Sequence, residues 1–400
     1  MERRGVTARD TVALRALQAL TATQRGRDLA PRLDLLRGTG VRHVVHRMRH
    51  GLHRGEIAPG VKHAVYRRIW SDAAAALGAD ILEELPGGIL EIGHGPARTR
   101  VFEQTVALDD AVTLRLAIDK RTVHQLLLRA RVPVPVHRDF TRDDPARGLE
   151  FLAREPGPCV VKAATGTGGG DGTTCGVRTA EDLTRAAMRA GRRSDTLLIE
   201  RQARGSVYRL LFLDDRLLDV VCQSSPTVDG DGTSTVEELI RAENRRRARA
   251  GGADGIYPLR VDLDCLLTLS HAGLALGSVP AAGARCTVKI ATNEARVEDC
   301  RTARDELCDA IVEDAHTAVR TLGVRLAGVD LVTADPSRPL RETGGVINEV
   351  NGTPALHRHY QVSDRQNLMP VAEPVLAYLL GIEPDEPAAP ARFSSSRVRA

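Results

Sequence analysis

The segment CVVKAATGTGGGDGTTCGV, residues 159–177, joins a strand-like apolar stretch to a loop with six glycines between positions 166 and 176. Lys162 precedes these glycines, whereas a Walker A loop places its lysine after them. The glycine patterns of dinucleotide-binding folds and protein kinases do not match either. Glycines let backbone N–H groups approach phosphate oxygens, and a lysine on the preceding strand reaches the same oxygens. The segment therefore predicts a phosphate-binding loop rather than an ordinary flexible turn.

Lysine is rare in this chain. Only four of the 56 basic residues are lysine: Lys62, Lys120, Lys162 and Lys289. Where arginine supplies nearly every positive charge, a retained lysine indicates a site that needs a compact ammonium group on a flexible stem. Chance survival is the alternative, and we favour it only for Lys62.

A second pattern supplies oxygen ligands for a cation. Glu349 and Asn351 are two residues apart in NEVNGTP, so on a strand they share one face. Asp330 interrupts the apolar run AGVDLVT, where a carboxylate is costly unless it binds a cation or is hydrogen-bonded. The three residues predict a Mg²⁺ site, and backbone amides around a buried Asp330 are the alternative. Phosphate transfer also needs cations nearby, and Arg209 is one candidate.

Composition limits the other possibilities. The chain has 400 residues, enough for two or three domains. Aromatic residues make up 3% of it, which argues against a base-stacking surface for single-stranded nucleic acid. Seven cysteines without a CxxC pair indicate reduced thiols. We find no signal-peptide core and no apolar run near the ~18 residues of a membrane span, so we expect a cytoplasmic protein without a membrane partner.

Residues 25–68 are dense in arginine and histidine, although the formal net charge is only +4. A nucleic-acid surface is one interpretation, and we favour a solvated arginine-rich face. Four histidines fall on one face of a predicted helix there: His43, His46, His50 and His53. Because no carboxylate or thiolate partner is evident, we favour a polar helix face over a metal site.

Periodicity and turn residues predict the secondary structure. They indicate a helix ended by Gly78, then strands and turns over 87–105, and a strand at 158–163. A helix from Ala180 to Ala190 follows, and then a hairpin over 207–223 with its turn at Asp214–Asp215. We also predict a linker at 251–255, a strand over 284–292 and a long helix from Thr302 to Leu322.

The order of these features resembles the ATP-grasp superfamily. Along the chain come two lysines around a glycine loop, a glutamate before a glycine, an arginine, an aspartate and the Glu-x-Asn motif. The stretches IERQARGSVYRLLFLDDRLLDVV, LGSVPAAGARCTVKIATN and AGVDLVTADPSRPLRETGGVINEVNGTPALHRH narrow the resemblance to the ATP-grasp region of the cyanophycin synthetase family. It runs from about Val101 to His359, and we expect the Mur-ligase-like domain of that family to be lacking.

This resemblance implies an α+β, ATP-grasp fold in which two lobes grip ATP, preceded by a smaller N-terminal α/β domain. The implied divisions are a helical and α/β domain at 1–116, an ATP-grasp domain at 117–385 with its glycine-loop lobe at about 135–205, and a disordered tail at 386–400. It also leads us to expect a homo-oligomer.

The resemblance further implies roles for individual residues. Lys120 and Lys162 would hold ATP phosphates, and Asp330, Glu349 and Asn351 would bind Mg²⁺. The glycine loop, with Gly166, Gly168, Gly169 and Gly170, would close over the phosphates. Glu200 and Arg201 would line the adenine pocket. Arg209 and Lys289 would stabilise the acyl phosphate and the tetrahedral intermediate. Asn293 and His359 fall on matching positions, as catalytic and substrate-binding residues respectively.

The implied reaction is an ATP-dependent ligation, in which a carboxylate becomes an acyl phosphate and an amine attacks it. The segment NEARVEDCRTARDEL is shorter and more charged than the family's substrate-contacting segment, so we expect amino acids or small peptides as substrates, in specialised metabolism, rather than the polymer. One alternative is ligation onto a peptide or carrier protein that docks on the basic N-terminus. Another is a nucleotide-binding module without turnover, and a nucleic-acid-binding role ranks last.

Overall fold

The computed structural model describes residues 60–167, 172–250 and 256–383, together with residues 34 and 39. The predicted linker at 251–255, the predicted tail and the face formed by His43, His46, His50 and His53 lie outside the described residues. Every strand pair in the described part is antiparallel. Helices and antiparallel sheets occur together, which confirms the α+β class.

The described chain starts with a helix packed on a small sheet, which we call the N-terminal unit (residues 60–106). Its elements are α1 (Val61–Ala76), β1 (Asp80–Leu85), β2 (Ile89–His94), β3 (Ala97–Phe102) and β4 (Thr105–Val106), and the strands pair in chain order. Gly78 follows α1 with φ +63°, a left-handed conformation that glycine adopts without strain. The predicted end of this helix at Gly78 is therefore confirmed.

A five-stranded sheet forms the centre of the protein. Its strands are β9 (Ser206–Leu213), β10 (Arg216–Gln223), β13 (Cys300–Thr302), β14 (Leu326–Thr333) and β15 (Val346–Asn351), in the order β13-β10-β9-β14-β15. β9 and β10 form the predicted hairpin with its turn at Asp214–Asp215. Helices α2 (Ala111–Ile118), α3 (Lys120–Arg129), α8 (Asp309–Leu322), α9 (Leu340–Thr343) and α10 (Ala372–Leu380) belong to the same part of the chain.

The central sheet is covered on both faces, which explains why β9 is almost continuously apolar. Successive side chains of a strand point to opposite faces. Leu210 and Phe212 accordingly join a core with α3 and α8, whereas Leu211 and Leu213 join a second core. That second core, which we call the shared core, combines them with residues of the N-terminal unit such as Trp70. The N-terminal unit is therefore packed directly on the central sheet.

The glycine-loop lobe is a four-stranded sheet with two helices. Its elements are β5 (His137–Thr141), α4 (Ala146–Arg154), β6 (Cys159–Ala163), β7 (Thr174–Val177), α5 (Ala180–Ala190) and β8 (Thr196–Arg201), and the sheet order is β5-β8-β6-β7. Thr179 and Asp182 form a capping box that fixes the start of α5. The predicted strand at 158–163 and the predicted helix from Ala180 to Ala190 are confirmed.

A smaller cluster of elements is formed by the chain between β10 and β13. It contains β11 (Thr227–Asp229), β12 (Arg285–Thr287), α6 (Val236–Ala250) and α7 (Leu263–His271), and it has its own apolar core. Single 3-10 turns follow at Thr292–Glu294, Val297–Asp299, Leu356–Tyr360 and Arg365–Asn367. The predicted strand over 284–292 is wrong in length, because the pairing of β12 with β11 ends at Thr287 and the chain then turns.

The predicted helix from Thr302 to Leu322 is wrong over its first seven residues. Cys300–Thr302 is instead a strand that pairs with β10, and the Thr302 amide donates to the Asp364 carboxylate at 2.9 Å. The helix starts only at Asp309. Ala303 and Leu307 are buried, but they reach the core from irregular chain, so their apolar spacing resembled a helix. No helix among the described residues is long and apolar enough to cross a membrane.

Candidate active site

Three neighbouring strands place three charged side chains in one row. In the register of the central sheet, Asp330 on β14 lies opposite Arg209 on β9 and opposite Glu349 on β15. Residues directly opposite each other in a sheet share a face, so all three project to one side. This is the face that the shared core covers elsewhere, because Arg209 precedes Leu211 by two positions on β9.

The row is held by ion pairs. The Arg209 guanidinium binds Asp330 in a bidentate pair, with both N–O distances 2.6 Å. The Lys120 ammonium lies 2.9 Å from the Glu349 carboxylate, and the Asn351 amide donates to Asp330 at 3.3 Å. Burial raises the pKa of Glu349, but Lys120 and Lys162 outweigh this and the pKa falls to about 2. Glu349 is therefore charged at neutral pH.

The glycine-loop lobe brings further charges to the same place. The Lys162 ammonium on β6 lies 2.8 Å from the Glu200 carboxylate on β8 and donates to the Asn348 side chain at 3.3 Å. The lobe is tied to α3, because the Lys120 amide donates to the Ala164 carbonyl at 3.0 Å. The Lys120 ammonium also donates to the Thr167 hydroxyl at 2.8 Å. Lys120 thus connects the start of the glycine loop to Glu349.

The glycine loop itself is only partly described. Gly166 has φ +72°, and a Cβ there would lie 3.0 Å from the Arg193 carbonyl oxygen, so glycine is needed at this position. Gly168, Gly169 and Gly170 lie outside the described residues, and their predicted contact with phosphate stays a prediction.

One buried carboxylate oxygen in the site has no hydrogen-bond partner among the residues that the structure describes. The Oε1 atom of Glu200 is buried without one, and so is Nδ1 of His124, which lies 3.7 Å away. Burial lowers the pKa of His124 to about 4, despite the opposing charge of Glu200, so this imidazole is neutral at pH 7. Because Glu200 also lines the cleft described next, it offers a free acceptor to a ligand with N–H donors.

These side chains line one cleft of about 670 Å³, the size of typical small-molecule sites. It contains most of the residues that the sequence singled out: Lys120, Lys162, Glu200, Arg201, Arg209, Asn293, Asp330, Glu349 and Asn351. Arg201 is at its rim and forms an ion pair with Glu155 at 2.6 Å. The fold therefore brings these nine residues together in one cleft.

Lys289 is not among the residues that line the cleft. Its buried ammonium lies 2.9 Å from the carboxylates of both Asp262 and Glu294. Burial alone would lower the pKa of Lys289, but these carboxylates raise it. Because Glu294 shares a 3-10 turn with Asn293, Lys289 fixes the segment that carries a cleft residue rather than facing the cleft itself.

His359 also lies away from the cleft lining. It is fully buried, and its Nδ1 atom lies 2.8 Å from the carboxylate of Asp219 on β10. Its Nε2 atom is buried without a hydrogen-bond partner among the described residues.

Sequence reasoning missed several residues that line the cleft. Lys62 and Gln104 reach it from the N-terminal unit. Tyr257 reaches it from a segment without a recognised motif, and Arg358 from the stretch that carries the resemblance, where it was not singled out. The rarity of lysine is a signal that also applies to Lys62, although chance survival is the interpretation favoured for that residue from the sequence. Arg358 follows the Glu-x-Asn motif closely within LHRHY, and its burial in a 3-10 turn became visible only in the structure.

The site also fits the ligands expected of a divalent cation. Among the described residues, no group of three or more His, Cys, Asp or Glu side chains could hold a metal ion. The Asp330 and Glu349 carboxylates are nevertheless adjacent, with the Asn351 amide beside them. Mg²⁺ usually takes one or two protein carboxylates and completes its shell with water and substrate phosphates, so this donor set suits it.

Comparison with known proteins gives a consistent result. No family model matches the chain. Cyanophycin synthetase from Nostoc sp. (strain PCC 7120) is 31% identical over 273 residues, which are 68% of this chain and 30% of that protein. Cyanophycin synthetase from Synechocystis sp. is 31% identical over 73% of this chain and 33% of that protein. The glutathione biosynthesis bifunctional protein GshAB from Clostridium perfringens is 24% identical over 68% of this chain and 35% of that protein.

The chain thus spans about a third of the length of the curated relatives it matches. A bifunctional glutathione synthetase from Pasteurella multocida aligns in structure over 76% of this chain and 41% of that one, with 22% identity and a TM-score of 0.48. This structural likeness is too low to add to the argument. The sequence similarity, with the motifs in their expected order, identifies the chain as an ATP-grasp protein of the cyanophycin synthetase-like kind.

Proposed function

We propose that the protein is an ATP-dependent carboxylate–amine ligase, which forms an amide or peptide bond through an acyl phosphate. The observation that carries this proposal is the row Arg209–Asp330–Glu349, which lies in the same cleft as the two lysines of the glycine-loop side. The similarity to proteins named as synthetases supports it.

In this proposal Lys120 and Lys162 hold the phosphates of ATP. Each already faces a carboxylate, Glu349 and Glu200 respectively, so both ammonium groups are fixed before a nucleotide binds. Glu200 offers its free oxygen to a donor on the base. Asp330, Glu349 and Asn351 would hold Mg²⁺, which when bound neutralises charge on the phosphates.

The proposed reaction has two steps. A carboxylate oxygen of the acid substrate forms a bond to the γ-phosphorus, and the bond to ADP breaks. The amine nitrogen then bonds to the carbonyl carbon, phosphate leaves with the electron pair, and the amine loses a proton. Arg209, held by Asp330, and Asn293 would stabilise the charge that develops on these groups. Lys289 and His359 would act by positioning, because neither lines the cleft.

We further propose that the substrates are amino acids or small peptides. An ADP-release screen over single amino acids and pairs of them, followed by mass spectrometry of the product, tests this. ADP release that requires a peptide or carrier protein would favour ligation onto a macromolecule. Binding of a non-hydrolysable ATP analogue without turnover on any substrate would favour a nucleotide-binding module, and failure to bind the analogue would reject the proposal. The predicted homo-oligomer is tested by light scattering.

A further inference from the structure

Six cationic side chains of the described residues line the cleft: Lys62, Lys120, Lys162, Arg201, Arg209 and Arg358. Five of them face a carboxylate of the protein, namely Glu103, Glu349, Glu200, Glu155 and Asp330 in the same order. Arg358 differs from the rest. Among the described residues, no aspartate or glutamate forms an ion pair with it.

Arg358 is 2% exposed, so its charge is nearly removed from water. Burial lowers the pKa of its guanidinium and the charge of Arg209 adds to this, while Tyr257 acts in the opposite direction. A buried charge without a counter-charge is costly, and proteins keep one mainly where a ligand or metal supplies the partner. The cleft-lining position of Arg358 makes a ligand the natural partner.

The guanidinium is also held in a fixed plane. One terminal nitrogen donates to the Asn293 carbonyl, and the other donates to the Gln361 side chain at 3.2 Å. Its carbon atom lies 4.6 Å from the centre of the Tyr257 ring, in a cation–π arrangement. Each terminal nitrogen carries a second N–H group, so donors remain for a planar, two-oxygen acceptor such as a carboxylate.

The surroundings of Arg358 separate it from the phosphate-binding lysines. Its hydrogen bonds and ring contact within the described part of the chain come from the segments around Asn293, Tyr257 and Gln361, and none of these comes from the glycine-loop lobe. The adjacent His357 accepts or donates at 2.9 Å with Tyr66 of α1, and its pKa is well below the usual value because of burial, so it is neutral. Among the described residues that line this end of the cleft, Arg358 is therefore the cation without an ion-paired carboxylate, and it lies next to the N-terminal unit.

We propose that Arg358 binds a substrate carboxylate other than the one that is activated. The inference rests on the proposed ligase function and narrows its substrates: either the acid substrate has a second carboxylate, or the amine substrate is an amino acid whose own carboxylate is held here. A monocarboxylic acid together with an amine that has no carboxylate offers Arg358 nothing to bind. The proposal therefore excludes such a pair of substrates.

Isothermal titration calorimetry on the full chain tests this, with and without AMP-PNP and Mg²⁺. The probes are linear dicarboxylates from malonate to adipate, the monocarboxylate butyrate, and L-alanine. We expect Arg358→Gln to weaken dicarboxylate or L-alanine binding by at least about tenfold and to leave AMP-PNP affinity unchanged. Loss of dicarboxylate binding assigns the site to the acid substrate, and loss of L-alanine binding alone assigns it to the amine.

Arg358→Lys keeps the charge without the planar pair of donors and should bind the same probe with intermediate affinity. Circular dichroism shows whether Arg358→Gln is folded. If it is not, Arg358→Lys alone is compared with the wild type. Arg325→Gln removes an exposed arginine that does not line the cleft and should bind like the wild type. The proposal is overturned if both Arg358 variants bind the probes as tightly as the wild type does. It is also overturned if the wild type binds neither the dicarboxylates nor L-alanine better than butyrate. Failure of AMP-PNP to bind the wild type rejects the ligase function instead, and the carboxylate titration without nucleotide still decides the role of Arg358.

Discussion

Replacing Glu349 by glutamine should show how much the charge interactions of Glu349 with Lys120 and Lys162 contribute to the free energy of unfolding. The pKa of Glu349 is lowered from 4.5 to about 2: burial opposes this, and Lys120 and Lys162 outweigh burial. A lowered pKa in the folded state means that the ionised carboxylate stabilises the protein above pH 4.5 and that this stabilisation is lost as pH falls toward 2. The shift corresponds to about 3 kcal/mol, which we reduce to about 2 to 3 kcal/mol because the side chain is 27% exposed.

Urea unfolding of wild type and Glu349→Gln measures this difference. The variant should be less stable by about 2 to 3 kcal/mol at pH 7, and by about half of that near pH 3. Glu342→Gln is the matched control, since this exposed glutamate only pairs with Arg338 on the surface, and it should change stability by less than about 0.5 kcal/mol. Equal stability of Glu349→Gln and wild type at pH 7, or a difference independent of pH, would refute the reasoning. The folded variant, like Glu349→Ala, should have lost ATP turnover, and full activity would reject Glu349 as a metal ligand.

Three further changes test other parts of the structure. Lys162→Met should weaken AMP-PNP binding by roughly 10- to 100-fold in a calorimetric titration, because it removes a charged donor to phosphate; unchanged affinity would place the phosphates elsewhere. Gly205→Ala should cost more than about 2 kcal/mol in urea unfolding, because φ is +118° and the new Cβ would lie 2.0 Å from the Thr333 carbonyl oxygen, whereas Gly78→Ala has open space and should cost about 1 kcal/mol. Leu210→Ala should cost about 2 to 5 kcal/mol by leaving a cavity in a fully buried core, against almost nothing for Val112→Ala at a 77% exposed position.

The position of a site residue was predictable where one short segment contains both the secondary-structure pattern and the charged or polar side chain. Lys162 follows three strand residues, so its position just before the glycine loop was visible in one stretch. The two-residue spacing of Glu349 and Asn351 likewise predicted a shared face, and both line the cleft. The ion pair between Arg209 and Asp330 was not visible, because their 121-residue separation is bridged only by the register of β9 against β14.

Other features depend on contacts that no local pattern encodes. Lys62 belongs to a helix whose first turn reaches the cleft only because α1 packs on the central sheet. Lys289 is a residue type that commonly binds phosphate. Its ammonium instead donates to the carboxylates of Asp262 and Glu294, which are 27 and 5 residues away in the sequence. The edge strand Cys300–Thr302 forms because β10 offers a free side, and three residues are too few for a strand to be recognised by alternation.

The shared core has a consequence for how proteins of this kind can be altered. Trp70 and Leu90 of the N-terminal unit are packed in one apolar cluster with Leu211 and Leu326 of the central sheet. The predicted division at residue 116 therefore crosses a continuous interior, and a chain begun at residue 117 would leave that face of the sheet uncovered. Helix α1 also supplies Lys62 to the cleft. An exchange of the central sheet between relatives must accordingly carry α1 with it, because α1 supplies both the apolar cover of that face and a cleft-lining side chain.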